Sequence, residues 1–136
     1  MPWRVAKSLL RLREQINEMA PERSTASDGT IGDAAHASRT SDHNPWVKDG
    51  NIGVVTAIDI THDIPHGCDA QALVDALVNS RDPRIKYIIW NRKKMNSKIQ
   101  PWVWRNYTGP NPHTKHFHLS VRPEKSSYDS EDSWQI

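Results

Sequence analysis

The chain is poor in the features that would assign it quickly to several common classes. Its single cysteine, Cys68, excludes an internal disulfide and any Cys-rich zinc finger. It has no apolar run long enough to span a bilayer. Its N-terminal apolar positions are interrupted by Arg4, Lys7, Arg11 and Arg13, so no secretory signal is expected. With 136 residues it is the size of one domain and leaves no room for a second module. It also lacks a strong charge of either sign. A formal charge of +2 suits an anionic polymer such as cell wall and suits nucleic acid equally well.

Histidine, by contrast, is concentrated. His113, His116 and His118 fall within six residues, and Leu119-Ser120-Val121 follows. If Phe117, Leu119 and Val121 form the buried face of a short strand, the period of two places His116, His118 and Ser120 together on the other face. Imidazoles make a poor core because each ring carries a donor and an acceptor that must be satisfied. A metal site explains them economically, since neutral imidazole is the commonest metal ligand and also a base near neutral pH. A solvated His-rich edge strand has the same pattern, and the hexad alone leaves both readings open.

A second element favours the metal. Ser41-Asp42-His43-Asn44-Pro45 is a polar, turn-forming run, and Val54 to Ile60 reads as one strand in which Asp59 lies among apolar β-formers. A buried carboxylate needs a cation or donors. His43, Asp59 and His118 then make a three-ligand zinc set with a fourth position open, as expected of a catalytic zinc.

These motifs resemble a known family. His43, the Ala57-Ile58-Asp59 strand and the final His116-Phe117-His118 follow the order found in zinc peptidases of the D-Ala-D-Ala carboxypeptidase and LAS type, which cut peptidoglycan peptides. His113-x-x-His116-x-His118 is similar to the closing motif of the murein endopeptidase branch, and the wording from about Ser24 to Val121 looks like phage endolysin peptidase domains. The resemblance implies an α+β fold, LAS/Hedgehog-like, with a small antiparallel sheet carrying the zinc site and flanked by helices. It implies a single zinc peptidase domain over 1–121 and a C-terminal tail over 122–136. It also implies a Zn2+-dependent hydrolase of stem or cross-link peptides, acting on the wall after release from the host cytoplasm. The expected partner is bacterial peptidoglycan, with no nucleic acid, no stable membrane insertion and a monomeric state. Two departures from the family stand out. His43 and Asp59 are unusually far apart, and Lys115 occupies the place where many relatives carry an acidic base. The proton-carrying role therefore passes to His116 first and to His113 second.

Other residues are candidates of a lesser kind. Arg39, shortly before His43, is expected to polarise the scissile carbonyl or grip a carboxylate, with a salt bridge to Asp33 or Asp42 as the plain alternative. His36 is a candidate for an additional ligand or substrate contact, His62 and Asp63 are reserve candidates for the base, and His66 has no assigned role. Trp104 or Tyr107 is expected to wall the cleft, with edge-of-core packing as the competing explanation. Rival functions are a cysteine peptidase of the wall using Cys68 at a helix start, a metal-dependent nuclease, and a zinc-stabilised wall-binding module.

Local patterns predict the remaining elements. Pro2 to Ala20 reads as an amphipathic helix with Val5, Leu9, Leu12, Ile16 and Met19 on one stripe. Asp69 reads as the N-cap of a helix burying Ala70, Leu73, Val74, Leu77 and Val78. Arg84 to Trp90 reads as a mostly buried strand, Asn91 to Lys94 as a basic turn, and Arg122 to Ile136 as a surface tail or linker whose Trp134 docks on the body.

Overall fold

A computed structural model describes residues 2–30, 41–109 and 113–136. The fold is α+β, built on two sheets. Strands β1 (Trp3–Val5), β2 (Val47–Asp49) and β3 (Ile52–Val55) form the smaller sheet in the order β1-β3-β2, with β1 parallel and β2 antiparallel to β3. Strands β4 (Ala57–Thr61), β5 (Ile85–Trp90), β6 (Lys93–Asn96), β7 (Trp104–Asn106) and β8 (His116–Val121) form an antiparallel sheet in the order β4-β8-β5-β6-β7. The histidine-bearing β8 lies between β4 and β5, so both its edges are hydrogen-bonded. That position excludes a solvated edge strand.

The alternation in β8 is realised. Phe117, Leu119 and Val121 are buried in one cluster with Ile58 and Ile60 of β4 and Ile85 and Ile88 of β5. Burying such a side chain contributes on the order of 1.5–3 kcal/mol. Helix α1 (Lys7–Met19) adds Leu9, Leu12 and Ile16 to this cluster, and α2 (Ala70–Ser80) adds Ala70, Leu73, Val74 and Leu77. Asp69 caps α2 as predicted, its carboxylate accepting from the Gln71 and Ala72 amides.

Several expectations need correction. Residues 3–5 are a strand, because β1 finds a partner in β3 some fifty residues away, and the helix begins only at Lys7. Met19 is exposed. The run from Val54 to Ile60 is not one strand. It breaks at Thr56, whose amide donates to the Asp42 carbonyl and whose carbonyl accepts from Val121, so that β3 and β4 enter different sheets. Lys93 and Lys94 belong to β6, leaving only Asn91 and Arg92 in the turn, both with positive φ.

The C-terminal segment is not a free tail. It forms α3 (Lys125–Tyr128), and both Tyr128 and Trp134 are buried in the main cluster. Arg84 stacks 3.7 Å over the Trp134 ring and donates to the carbonyls of Ser130 and Asp132. Arg4 bridges Asp49 and Asp129, tying β1, β2 and this segment together. No helix among the described residues is long and apolar enough to cross a membrane.

Candidate metal centre

The register of β4 against β8 sets Asp59 directly opposite His118. Opposed residues in a ladder project to the same side, and here that side faces away from the Phe117 and Leu119 core. His118 Nδ1 lies 3.2 Å from Asp59 Oδ1. The turn at residues 41–44, closed by the Asn44 amide on the Ser41 carbonyl, delivers His43 to the same point. His43 Nε2 lies 3.2 Å from Asp59 Oδ1 and 3.1 Å from His118 Nδ1. Ligands about 2.0–2.1 Å from a tetrahedral zinc stand about 3.3 Å from one another, close to the spacing of this triangle.

The surrounding hydrogen bonds determine which ring nitrogens carry protons. His43 Nδ1 is 2.7 Å from the Thr30 carbonyl, which can only accept, so Nδ1 donates and Nε2 presents a lone pair. Thr30 is held by its neighbour Gly29, which exchanges both backbone hydrogen bonds with Asp59. His118 Nε2 is 2.8 Å from Ser120 Oγ. A serine hydroxyl can accept from an imidazole N–H, and a neutral ring that donates here through Nε2 has no proton left for Nδ1. His118 Nδ1 is then also a lone pair. Three acceptors converge within 3.2 Å, an arrangement that is repulsive unless a cation or proton lies among them. Imidazole and carboxylate donors with their outer nitrogens already engaged fit zinc.

The electrostatics agree with this geometry. Burial is the largest influence on Asp59 and acts upward, yet a proton held between it and the adjoining His118 or His43 nitrogen outweighs burial and keeps the carboxyl far below its usual range. Burial likewise depresses His43, but Asp59 more than offsets it and the imidazole is raised. In His118 burial prevails and the pKa falls. Asp42 is lowered in spite of burial, because Lys86, 3.0 Å away, and Trp46 and Ser120 stabilise its charge.

His116 and His113 lie beside the triangle. His116 Nε2 is 3.6 Å from Asp59 Oδ2, and among the described residues neither of its buried ring nitrogens has a hydrogen-bond partner. The His113 ring stands edge-on to His116 at 4.9 Å and to His118 at 5.6 Å. His113 has a φ of 55°, in the left-handed region that His adopts more readily than most residues. Lys115 is exposed, outside this cluster.

The other candidates divide clearly. Arg39 and His36 lie outside the described residues. The His62 ring accepts from the Ala70 amide and packs on Trp90, a helix-capping role. His66 pairs with Asp63 on the surface, and Asp63 also accepts from the Ser24 amide. Tyr107 reaches the His113 ring at 6.0 Å, whereas Trp104 lines a separate surface pocket with Trp90, Gln71, Asp75, Asn91 and Lys93. Cys68 is buried, donates to the Thr61 carbonyl at 3.3 Å, and has its thiol pushed up by burial. A nucleophilic cysteine needs the opposite environment.

Thr30, Asp42, Lys86 and Tyr87 are the supporting residues that sequence reasoning missed. A β-bulge in β5 matters here, because Ile85 opposes Val121 while Tyr87 opposes Ser120. The extra residue, Lys86, shifts the alternation so that Tyr87 stacks on His118 at 5.2 Å while Ile88 stays in the core. Asp42 had a signal, its position next to His43. Tyr87 had none.

The described residues therefore include a buried His/Asp grouping able to hold a metal ion. Comparisons of the chain with models of known families, with curated proteins and with solved structures yield no match.

Proposed function

We propose that the protein is a zinc-dependent peptidase of peptidoglycan stem or cross-link peptides, an endopeptidase or carboxypeptidase serving as a phage or prophage endolysin, with a LAS-like fold. The observation that carries the reading is the convergence of His43 Nε2, Asp59 Oδ1 and His118 Nδ1 as three lone-pair donors. The substrate class is supported by the likeness of Ser41–Pro45, Ala57–Ile60 and His113–Val121 to LAS-type peptidases.

Zinc held by these three residues supplies a Lewis acid for a peptide carbonyl and lowers the pKa of bound water to about 7. The Thr30 carbonyl holds a neutral His43 in the ligating tautomer, and Ser120 holds His118 in its own by accepting from Nε2. His116, whose Nε2 faces Asp59 Oδ2 without a hydrogen bond of its own, takes a proton from the attacking water and returns it to the leaving amine. His113 orients His116 or shares that task. Arg39 grips a substrate carboxylate or the scissile carbonyl.

Digestion of purified peptidoglycan followed by mass spectrometry tests the proposal. New amino groups and peptide fragments are expected, and both should disappear after chelation and in His118→Ala. An intact wall with cleaved DNA would replace this reading with a nuclease, and wall binding with no fragments would replace it with a binding module.

A further inference from the structure

Asp59 has a second oxygen, and it faces a second group of ligands. Oδ1 belongs to the His43 and His118 triangle, while Oδ2 lies 3.6 Å from His116 Nε2. Asp59, His113 and His116 each offer a ligand atom within 4.8 Å of the others. An imidazole whose two buried nitrogens have no hydrogen-bond partner among the described residues carries a desolvation cost, which calls for a compensating interaction.

We infer that Asp59, His113 and His116 form a second divalent-cation site, weaker than the first and bridged to it through the Asp59 carboxylate, whose filling by excess zinc inhibits the enzyme. The inference rests on the zinc reading of the first site. Carboxylates commonly bridge metal ions about 3.5–4 Å apart, and the donors here are again imidazole and carboxylate. The second site is the weaker for two reasons. His116 Nε2 stands 3.6 Å from Asp59 Oδ2, so these donors must be drawn together, whereas the first set stands ready at 3.1–3.2 Å. A second dication also enters against the charge of the first. Inhibition follows from lone-pair competition, because a His116 or His113 nitrogen bonded to a cation cannot accept a proton.

Zinc titration of the full chain, by equilibrium dialysis with elemental analysis, supplies a readout independent of turnover. The wild type is expected to bind one tight and one weaker equivalent, with peptide hydrolysis falling as the weaker one fills. His116→Ala, His116→Asn and His113→Ala should keep the tight equivalent, which also reports a folded first site, and lose the weaker one. A single equivalent in the wild type with no inhibition by excess zinc overturns the second site and leaves the first standing. A weaker equivalent that survives in all three variants overturns it too, because that ion binds elsewhere. No tight zinc in the wild type sinks the first-site reading, and this inference with it.

Discussion

His43 and His118, 75 positions apart in the chain, bring Nε2 and Nδ1 to 3.1 Å of each other over the same Asp59 oxygen. Two imidazoles do not adopt this approach for mutual attraction, since each presents a lone pair. The Thr30 carbonyl on one side and Ser120 on the other orient the rings from behind. The fold thus holds a cation-binding geometry in place, and the following predictions address how that geometry works.

Ligands and proton carriers should respond differently to removal. His118→Ala and His43→Ala are expected to lose tight zinc and activity together. His116→Ala should retain the tight zinc while turnover falls roughly 10²–10⁴-fold, with His113→Ala intermediate. Zinc content and hydrolysis rates of the purified variants check this. Metal loss in His116→Ala with retention in His118→Ala would reverse the two roles.

Ser120 offers no donor to the metal position itself, yet its Oγ stands 2.8 Å from His118 Nε2, where accepting a proton from that nitrogen leaves Nδ1 to face Asp59. Ser120→Ala should weaken zinc binding about 10–100-fold while leaving the protein folded. Competition with a chelator of known affinity measures the change. An unaltered affinity would show that β8 alone orients the ring.

Cys68 is assigned to packing, with its thiol donating to the Thr61 carbonyl. Cys68→Ser should keep zinc and hydrolysis, because a serine hydroxyl can make the same hydrogen bond. Alkylating reagents should react slowly with the native chain, since burial raises the thiol pKa and screens the sulfur. A folded, zinc-loaded Cys68→Ser variant without activity would revive the cysteine mechanism.

The Arg23–Asp28 pair, 2.7 Å apart and largely enclosed, anchors the approach to the site against Thr61, whose amide and hydroxyl both donate to Asp28. Asp28→Ala should destabilise the fold by about 3–5 kcal/mol, because it leaves the Arg23 charge buried without its partner. Burial raises the Asp28 pKa, but Arg23 and Thr61 outweigh it and the folded value is lowered. Its contribution is accordingly complete above the unfolded carboxyl value of about 3.9 and is lost as pH falls through the lower folded value. Urea unfolding at pH 7 and across the acid range, on wild type and Asp28→Asn, should show a shallower acid loss in the variant. Parallel curves would remove Asp28 from the acid response.

Alternation along Phe117–Val121, the isolated carboxylate of Asp59 and the Asp69 cap with its apolar stripe were legible in the sequence, because each is a pattern among near neighbours. The first two, with the polar run that carries His43, supplied the three residues that the structure brings together in the first metal grouping. What only the tertiary structure decided involves partners from elsewhere in the chain. Trp3–Val5 becomes a strand because β3 is there to pair with it, and the run through Thr56 divides because Asp42 and Val121 claim its backbone. Tyr87 reaches His118 only through the bulge at Lys86, and the seat of Trp134, whose docking was expected, is set by Arg84 and the helix α1 surface. The His43 nitrogen that faces Asp59 belongs to the same category. An imidazole is symmetrical enough in sequence terms to offer either nitrogen, and for His43 the choice falls to the Thr30 carbonyl that the fold places behind the ring, whereas Ser120 lies behind His118 through the local alternation of β8.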